Sequence, residues 1–341
     1  MIQRQLPVLL MALGMLGVIA ACDFKAVDKQ TPGPDEAGVR IQFRLDSKQT
    51  HNRFSASIPP VLTVPSGAVI EVETQEATDG QITADSDVAV FDTLDFGRVH
   101  ALTGPVYVEG AEPGDVLAVT LHTITVGSYG WSAIIPGFGV LADEFPERYL
   151  KTYKFDKNGA SVRFSDGITI PLSPFAGVMG VAPATDELLS TIPPRANGGN
   201  MDDPDITAGT TVYFPVFVEG GLFSIGDTHA VQGHGEVSGT AIEAPMRIVY
   251  EVTVIKDARQ IREPQYENDR VYAVTAFATT LDEAAGKATR YMVDYLQARH
   301  GLDRREAYIL ASVAADLKIA EMVDMPHVLV TMHIPKAIFQ Q

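Results

Sequence analysis

In the run Gly226-Asp227-Thr228-His229-Ala230-Val231-Gln232-Gly233-His234-Gly235-Glu236-Val237-Ser238-Gly239-Thr240-Ala241-Ile242-Glu243, histidines and carboxylates are set among glycines. Glycine lets a backbone turn tightly and approach other groups closely, so a segment this poor in helix formers spends its polar side chains on turns or on a site. Asp227 and His229 are two residues apart and on a strand point to one face. With His100, Asp202 and Glu243 they offer the mixed nitrogen and oxygen donors that a divalent ion takes, zinc first and calcium as the alternative. Glu236 is then the candidate general base, a task suited to a carboxyl with a raised pKa. His229, Asn200 and His234 complete the catalytic candidates, and His51, Gln232 and Trp131 are those for binding substrate. Each has a plainer reading. The run is also a Gly-rich hairpin with capped turns, Asp202 beside Asp203-Pro204-Asp205 is also a solvated turn, and His51 and His100 are also core or turn histidines. His122, His300, His327 and His333 read as structural.

The elements that must hold these groups are mainly β. Val69 to Thr74, Val116 to Leu121 and Thr211 to Val218 alternate or cluster β-branched and aromatic residues between Gly- and Pro-containing turns, the pattern of a jelly-roll-like β-sandwich. Trp131, the single tryptophan, lies in the Gly-rich stretch Gly127 to Gly139, which suits a lid, a pocket wall or a core. Helical spacing then takes over: Leu281 to His300 and Asp303 to Leu317 predict two helices, with Asp282 and Asp303 as caps and Gly301 between them. Val328 to Pro335 returns to a strand. The expected layout is a domain over residues 39–341, β-rich over 39–260 and α+β over 261–341.

Several blocks, in order, resemble the acetamidase/formamidase family of amide hydrolases. The opening run is one. Others are His51-Asn52 with Ile58 to Val64, His100 to Val106 followed by Glu109 to Asp115, Gly180-Val181-Ala182-Pro183, Gly198-Gly199-Asn200-Met201-Asp202, and Ala307 to Ser312. The resemblance covers almost all of the chain after the leader and implies a small-molecule amide of the formamide or acetamide kind as substrate; family members are often homo-oligomers. Two departures stand out: His234 replaces the family's usual acid, and Ser238 replaces a frequent cysteine.

Amide hydrolysis needs a nucleophile, a proton carrier and a stabiliser for the oxyanion. No Gly-x-Ser-x-Gly elbow and no Gly-Gly-Ser-Ser-Gly-Gly run occurs, which leaves metal-activated water as the economical route, with Asn200 or backbone N–H groups at the oxyanion. The contrasting reading is a lipid-anchored periplasmic binding protein with a degenerate pocket, which the His234 and Ser238 departures favour.

The N-terminus sets the expected location. Arg4, the apolar run Leu6 to Ala20, and Ile19-Ala20-Ala21-Cys22 look like a lipoprotein signal over residues 1–21, cleaved before a lipidated Cys22 that tethers the domain to the membrane through residues 22–38. Cys22 is the only cysteine among 341 residues, so no disulfide forms and lipidation leaves no thiol nucleophile. A net charge of −17 repels phosphate backbones, which argues against nucleic acid as a partner.

Overall fold

The computed structural model describes residues 38–155, 160–257 and 261–339. The leader, Cys22 and the tether up to residue 37 lie outside the described residues.

The first of two large sheets places Phe43–Leu45, Ala68–Thr74, Met246–Ile255, Val116–Val126, Thr211–Pro215, Gln265–Glu267, Val271–Ala278, Val328–Pro335 and Asp316–Glu321 side by side. The second runs Gly198–Asn200, Phe175–Gly180, Phe223–Val231, Ile242–Glu243, Tyr129–Ile134 and Tyr149–Lys154, and Leu102–Val108 also pairs with Phe223–Val231. Both sheets feed one core. Phe223 of the second meets Phe214 and Tyr250 of the first at ring-centroid distances of 5.7 and 5.4 Å. Phe214 and Phe223 are fully buried, each contributing roughly 2–3 kcal/mol by leaving water. The mainly β expectation holds, as does the pair of helices near the C-terminus.

Helix α1, Leu281–His300, buries Ala284, Ala288, Met292 and Leu296, a four-residue spacing that lays one stripe against the outer strands of the first sheet. Its cap is Thr280, whose extended backbone lets the hydroxyl accept from Glu283 N–H; Asp282, expected to cap, sits inside the first turn, where a negative charge suits the helix dipole. Gly301 ends α1 at φ 69°. Helix α2, Arg304–Ala314, starts as expected at Asp303 with a capping box to Glu306. It stops short of the Leu317 predicted from spacing, because Asp316–Glu321 pairs as an edge strand with Val328–Pro335. That ladder satisfies backbone groups along Val328–Pro335 that would otherwise be left open. The C-terminal strands thus extend the first sheet.

Candidate active site

The strand Phe223–Val231 is buried on both faces as far as Ala230 and is hydrogen-bonded on either side. Asp227 and His229 occupy it two residues apart, as expected. Asp227, Asp202 and Glu236 adopt positive φ, 46°, 40° and 45°, a conformation that costs a non-glycine residue of order 1 kcal/mol and collects at functional sites. Glu236 stands in a turn closed by Glu236 N–H to Gly233 O (3.2 Å) and Gly239 N–H to Glu236 O (2.7 Å), and Gly235 N–H ties that turn to Ala320 O (2.8 Å) on the edge strand of the other sheet.

His229 is the hub. Gln232 Nε2 donates to Asp202 O (2.7 Å) and Ala320 O (3.5 Å); carbonyls only accept, so the amide orientation is fixed and Gln232 Oε1 must accept from His229 Nδ1–H (2.9 Å). Asp202 Oδ1 also stands 3.5 Å from Nδ1, and Nε2 faces Glu243 Oε2 at 3.1 Å and Asp227 Oδ1 at 3.6 Å. Two carboxylate oxygens around an imidazole nitrogen demand a proton or a cation among them. Phe175 holds the ring from its edge at 5.1 Å.

Around this hub the charge is lopsided. Burial pushes Glu243 up to about 7 and Glu321 to about 8. Burial and then the Asp202 charge push Glu236 and Asp324 well above the carboxylate range. Asp227 goes the other way, to about 2: burial opposes its ionisation, but His100, whose Nε2 is 3.7 Å from Oδ2, and His229 outweigh it. Burial likewise opposes protonation of His229, but Glu243 and Asp227 overcome it and raise its pKa well above 6.5. Asp202 Oδ1, Asp227 Oδ1, Asn200 Oδ1 and His100 Nδ1 are buried without hydrogen-bond partners. Three sets, Asp202/Asp227/His229, His229/Glu236/Glu243 and Asp202/Glu236/Asp324, each keep their ligand atoms within 4.8 Å of one another. Nitrogen and oxygen donors this close, with orphaned oxygens and excess acid, fit a divalent cation.

A cavity of about 450 Å³ opens onto the cluster; His100, Trp131, Asn200, Asp202, Asp227, Glu236, Glu243 and Asp324 line it. The sequence did not single out Asp324, Glu321 or Glu76. For Asp324 and Glu321 the only signal is an acid beside apolar residues, as in Met322-Val323-Asp324-Met325; Glu76, within Thr74-Gln75-Glu76-Ala77-Thr78, carries none. Trp131 is a cavity wall, held by Nε1–H donation to Glu76 Oε2 at 2.9 Å. Asp202 is a buried site residue and no solvated turn.

Other expectations change. Gln232 does not line the cavity; its amide orients His229. His51 does not line it either, because its ring is used between strands, Nδ1–H donating to Arg53 O (2.7 Å) and Nε2 accepting from Ser224 Oγ (2.8 Å). His234 faces outward with Nε2 3.1 Å from Asp205 Oδ2, which also pairs with Lys318. Ser238 lies in a neighbouring groove with Phe138 and Val237. Asn200 Nδ2 is taken by Asp324 Oδ2 (2.7 Å), so its open atom is the acceptor Oδ1, unsuited to an oxyanion. His100 lines the cavity but belongs to none of the three close donor sets.

Known proteins share this chain-wide arrangement. A profile of the Acetamidase/Formamidase family matches residues 39–190 and 185–341, which places the chain among the amidohydrolases. It belongs to the acetamidase/formamidase family. It is 28% identical over 382 residues to a formamidase of Methylophilus methylotrophus, covering 88% of this chain and 93% of that one. To an acetamidase of Mycolicibacterium smegmatis it is 31% identical over 248 residues, 55% of this chain and 61% of that protein. The crystal structure of a predicted acetamidase/formamidase from Thermoanaerobacter tengcongensis superimposes with a TM-score of 0.81 at 34% identity, covering 87% and 96% of the two chains. A gamma lactamase from Delftia acidovorans gives 0.61 at 26% identity, over 86% and 90%.

Proposed function

We propose that this chain cleaves the C–N bond of a linear amide to a carboxylate and ammonia, with a divalent cation, zinc in the first instance, held by Asp202, Asp227 and His229. The reading is supported by the orphaned Oδ1 atoms of Asp202 and Asp227 beside an imidazole whose tautomer Gln232 fixes. Such a cation, when bound, polarises a carbonyl and lowers the pKa of water. Glu236 takes the proton of the attacking water as its oxygen adds to the carbonyl carbon. It returns that proton to nitrogen as the C–N bond breaks and its electron pair departs with ammonia; the second water proton stays on the carboxylic acid, which ionises to the carboxylate on release. Asn200 Oδ1, an acceptor, suits the N–H of the substrate amide. The observation that carries Glu236 is its membership of two donor sets, with His229/Glu243 and with Asp202/Asp324. Glu236→Gln keeps size and removes proton acceptance, so turnover should fall roughly 10²–10⁴-fold with KM little changed. A rise in KM with unchanged kcat would make Glu236 a recognition group instead.

The binding-protein alternative rested on His234 and Ser238. Both lie off the cavity, so neither departure removes a group from the site. The lipoprotein-like Ile19-Ala20-Ala21-Cys22 supports anchoring through Cys22 on the periplasmic side of a bacterial envelope; fatty-acid labelling that is equal in wild type and Cys22→Ser would refute it. Among the described residues no helix is long and apolar enough to cross a membrane.

A further inference from the structure

We infer that the amide this site takes carries a neutral, apolar substituent of about the size of a phenyl ring, an inference that rests on the amide-hydrolase reading above. Formamide has three heavy atoms and acetamide four. A water molecule takes about 30 Å³ of liquid, so these amides fill the room of three or four waters, about 90–120 Å³. The cavity holds about 450 Å³, in the range of sites that enclose larger ligands. Either small amide would leave most of it filled with water.

The walls say what belongs in the remainder. The acids lie at the buried end, where Asp202, Asp227, Glu236 and Glu243 are all buried. Above them stand Phe91, Leu94, Trp131, Ile135, Phe138 and Ile192. Phe91, Leu94, Trp131 and Ile135 pack in one cluster, with Trp131 2% exposed and Phe91 4%, while Phe138 is 38% exposed. Water against such a wall is displaced favourably by apolar surface and poorly by a methyl group that cannot reach it. Charge narrows the class further. Among the described residues Arg148 is the one lysine or arginine lining the cavity, and its guanidinium is already paired with Asp92 at 2.8 Å. A floor this rich in carboxylates, with no free lysine or arginine on the walls among the described residues, rejects an anionic substituent.

The test is ammonia release by the purified full chain from formamide, acetamide, phenylacetamide and succinamate. One methylene in an apolar pocket changes kcat/KM about 10–200-fold, so phenylacetamide should exceed acetamide by at least about 10²-fold, and anionic succinamate should be the poorest of the four. Phe138→Ala and Leu94→Ala should narrow the phenylacetamide-to-acetamide ratio by about tenfold. Acetamide or formamide equal to or better than phenylacetamide would overturn the inference while leaving amide hydrolysis standing. Should no amide release ammonia, the hydrolase reading falls, and the emission of Trp131 decides the pocket separately. Saturable quenching by phenylacetamide at far lower concentration than by acetamide supports an apolar-ligand cavity, and no difference between them overturns it.

Discussion

Asp202 hangs from Gly177: the Gly177 carbonyl accepts the N–H groups of Met201 (2.9 Å) and Asp202 (3.2 Å), and the bare Gly177 Cα leaves space for Asp202 Oδ1. A Cβ there would collide with that oxygen and come within 2.7 Å of His229 Cε1 and 2.9 Å of the Asp227 carbonyl. Gly177→Ala should therefore displace three site residues at once. Overpacking of this kind costs about 1–3 kcal/mol, whereas a misplacement of about 1 Å at reacting groups costs on the order of 10²-fold in rate. Activity should fall at least that far in a variant that still folds by circular dichroism. Wild-type kcat/KM would show that Asp202 is not held in the reacting geometry.

Gln232→Leu removes the acceptor for His229 Nδ1–H without touching the cavity lining. Orienting groups of this sort are worth about 10–100-fold in metal affinity. Chelator competition on the purified variant should show cation retention weakened by that factor, with Gln232→Glu, which keeps the acceptor, losing less. Equal retention in all three proteins would remove Gln232 from the site.

Glu76 accepts four hydrogen bonds, from Trp131 Nε1 (2.9 Å), Thr78 N (2.9 Å), Thr78 Oγ1 (2.6 Å) and Gly80 N (2.7 Å). Glu76→Ala strands these buried donors and should destabilise by roughly 3 kcal/mol in urea unfolding. Because Trp131 is the only tryptophan, its emission should also shift to the red as the wall loosens. An unshifted spectrum with unchanged midpoint would mean the wall stands without Glu76.

His51 couples the strands to pH. Burial lowers its pKa from 6.5 to about 4, although the bond to Arg53 O opposes this. The unfolded chain therefore binds a proton at His51 below about 6.5 that the folded chain refuses until about 4, and stability falls across that window by about 3 kcal/mol. Above 6.5 both states are neutral and the effect is absent. Urea midpoints of wild type and His51→Asn should diverge in their pH dependence between 7 and 4; parallel curves would show that His51 is not held neutral.

The body of the site was legible where chemistry and local pattern coincide. Asp227 and His229 sit on a strand at the period of two that brings side chains to one face, and Glu236 follows in a turn whose glycines announce it. What pattern could not supply was which direction a polar side chain faces across long sequence distances. His51 and Gln232 look as reactive as His229 in sequence, yet both are consumed by hydrogen bonds to other groups, His51 to Ser224 and Gln232 to Ala320. Asp324 and Glu321 are silent in sequence for the converse reason: nothing near them signals that the edge strand will be sewn to the Gly235 turn. Helical spacing runs on to Leu317 whereas the helix ends at Ala314, because the alternation in Asp316–Glu321 is too short to distinguish from a helical tail until its partner strand is present.

That stitch between the Gly235 turn and the edge strand has a temporal meaning. During synthesis the histidine-bearing strand is complete long before Ala320, Glu321 and Asp324 exist, and until then the Glu236 turn lacks its anchor and Asn200 its partner. A chain clipped before the final strands loses the Gly235–Ala320 and Asn200–Asp324 hydrogen bonds, and its hydrolytic activity is expected to fall with them. On that expectation, a simple ammonia assay on truncated chains doubles as a measure of whether the C-terminal strands have docked.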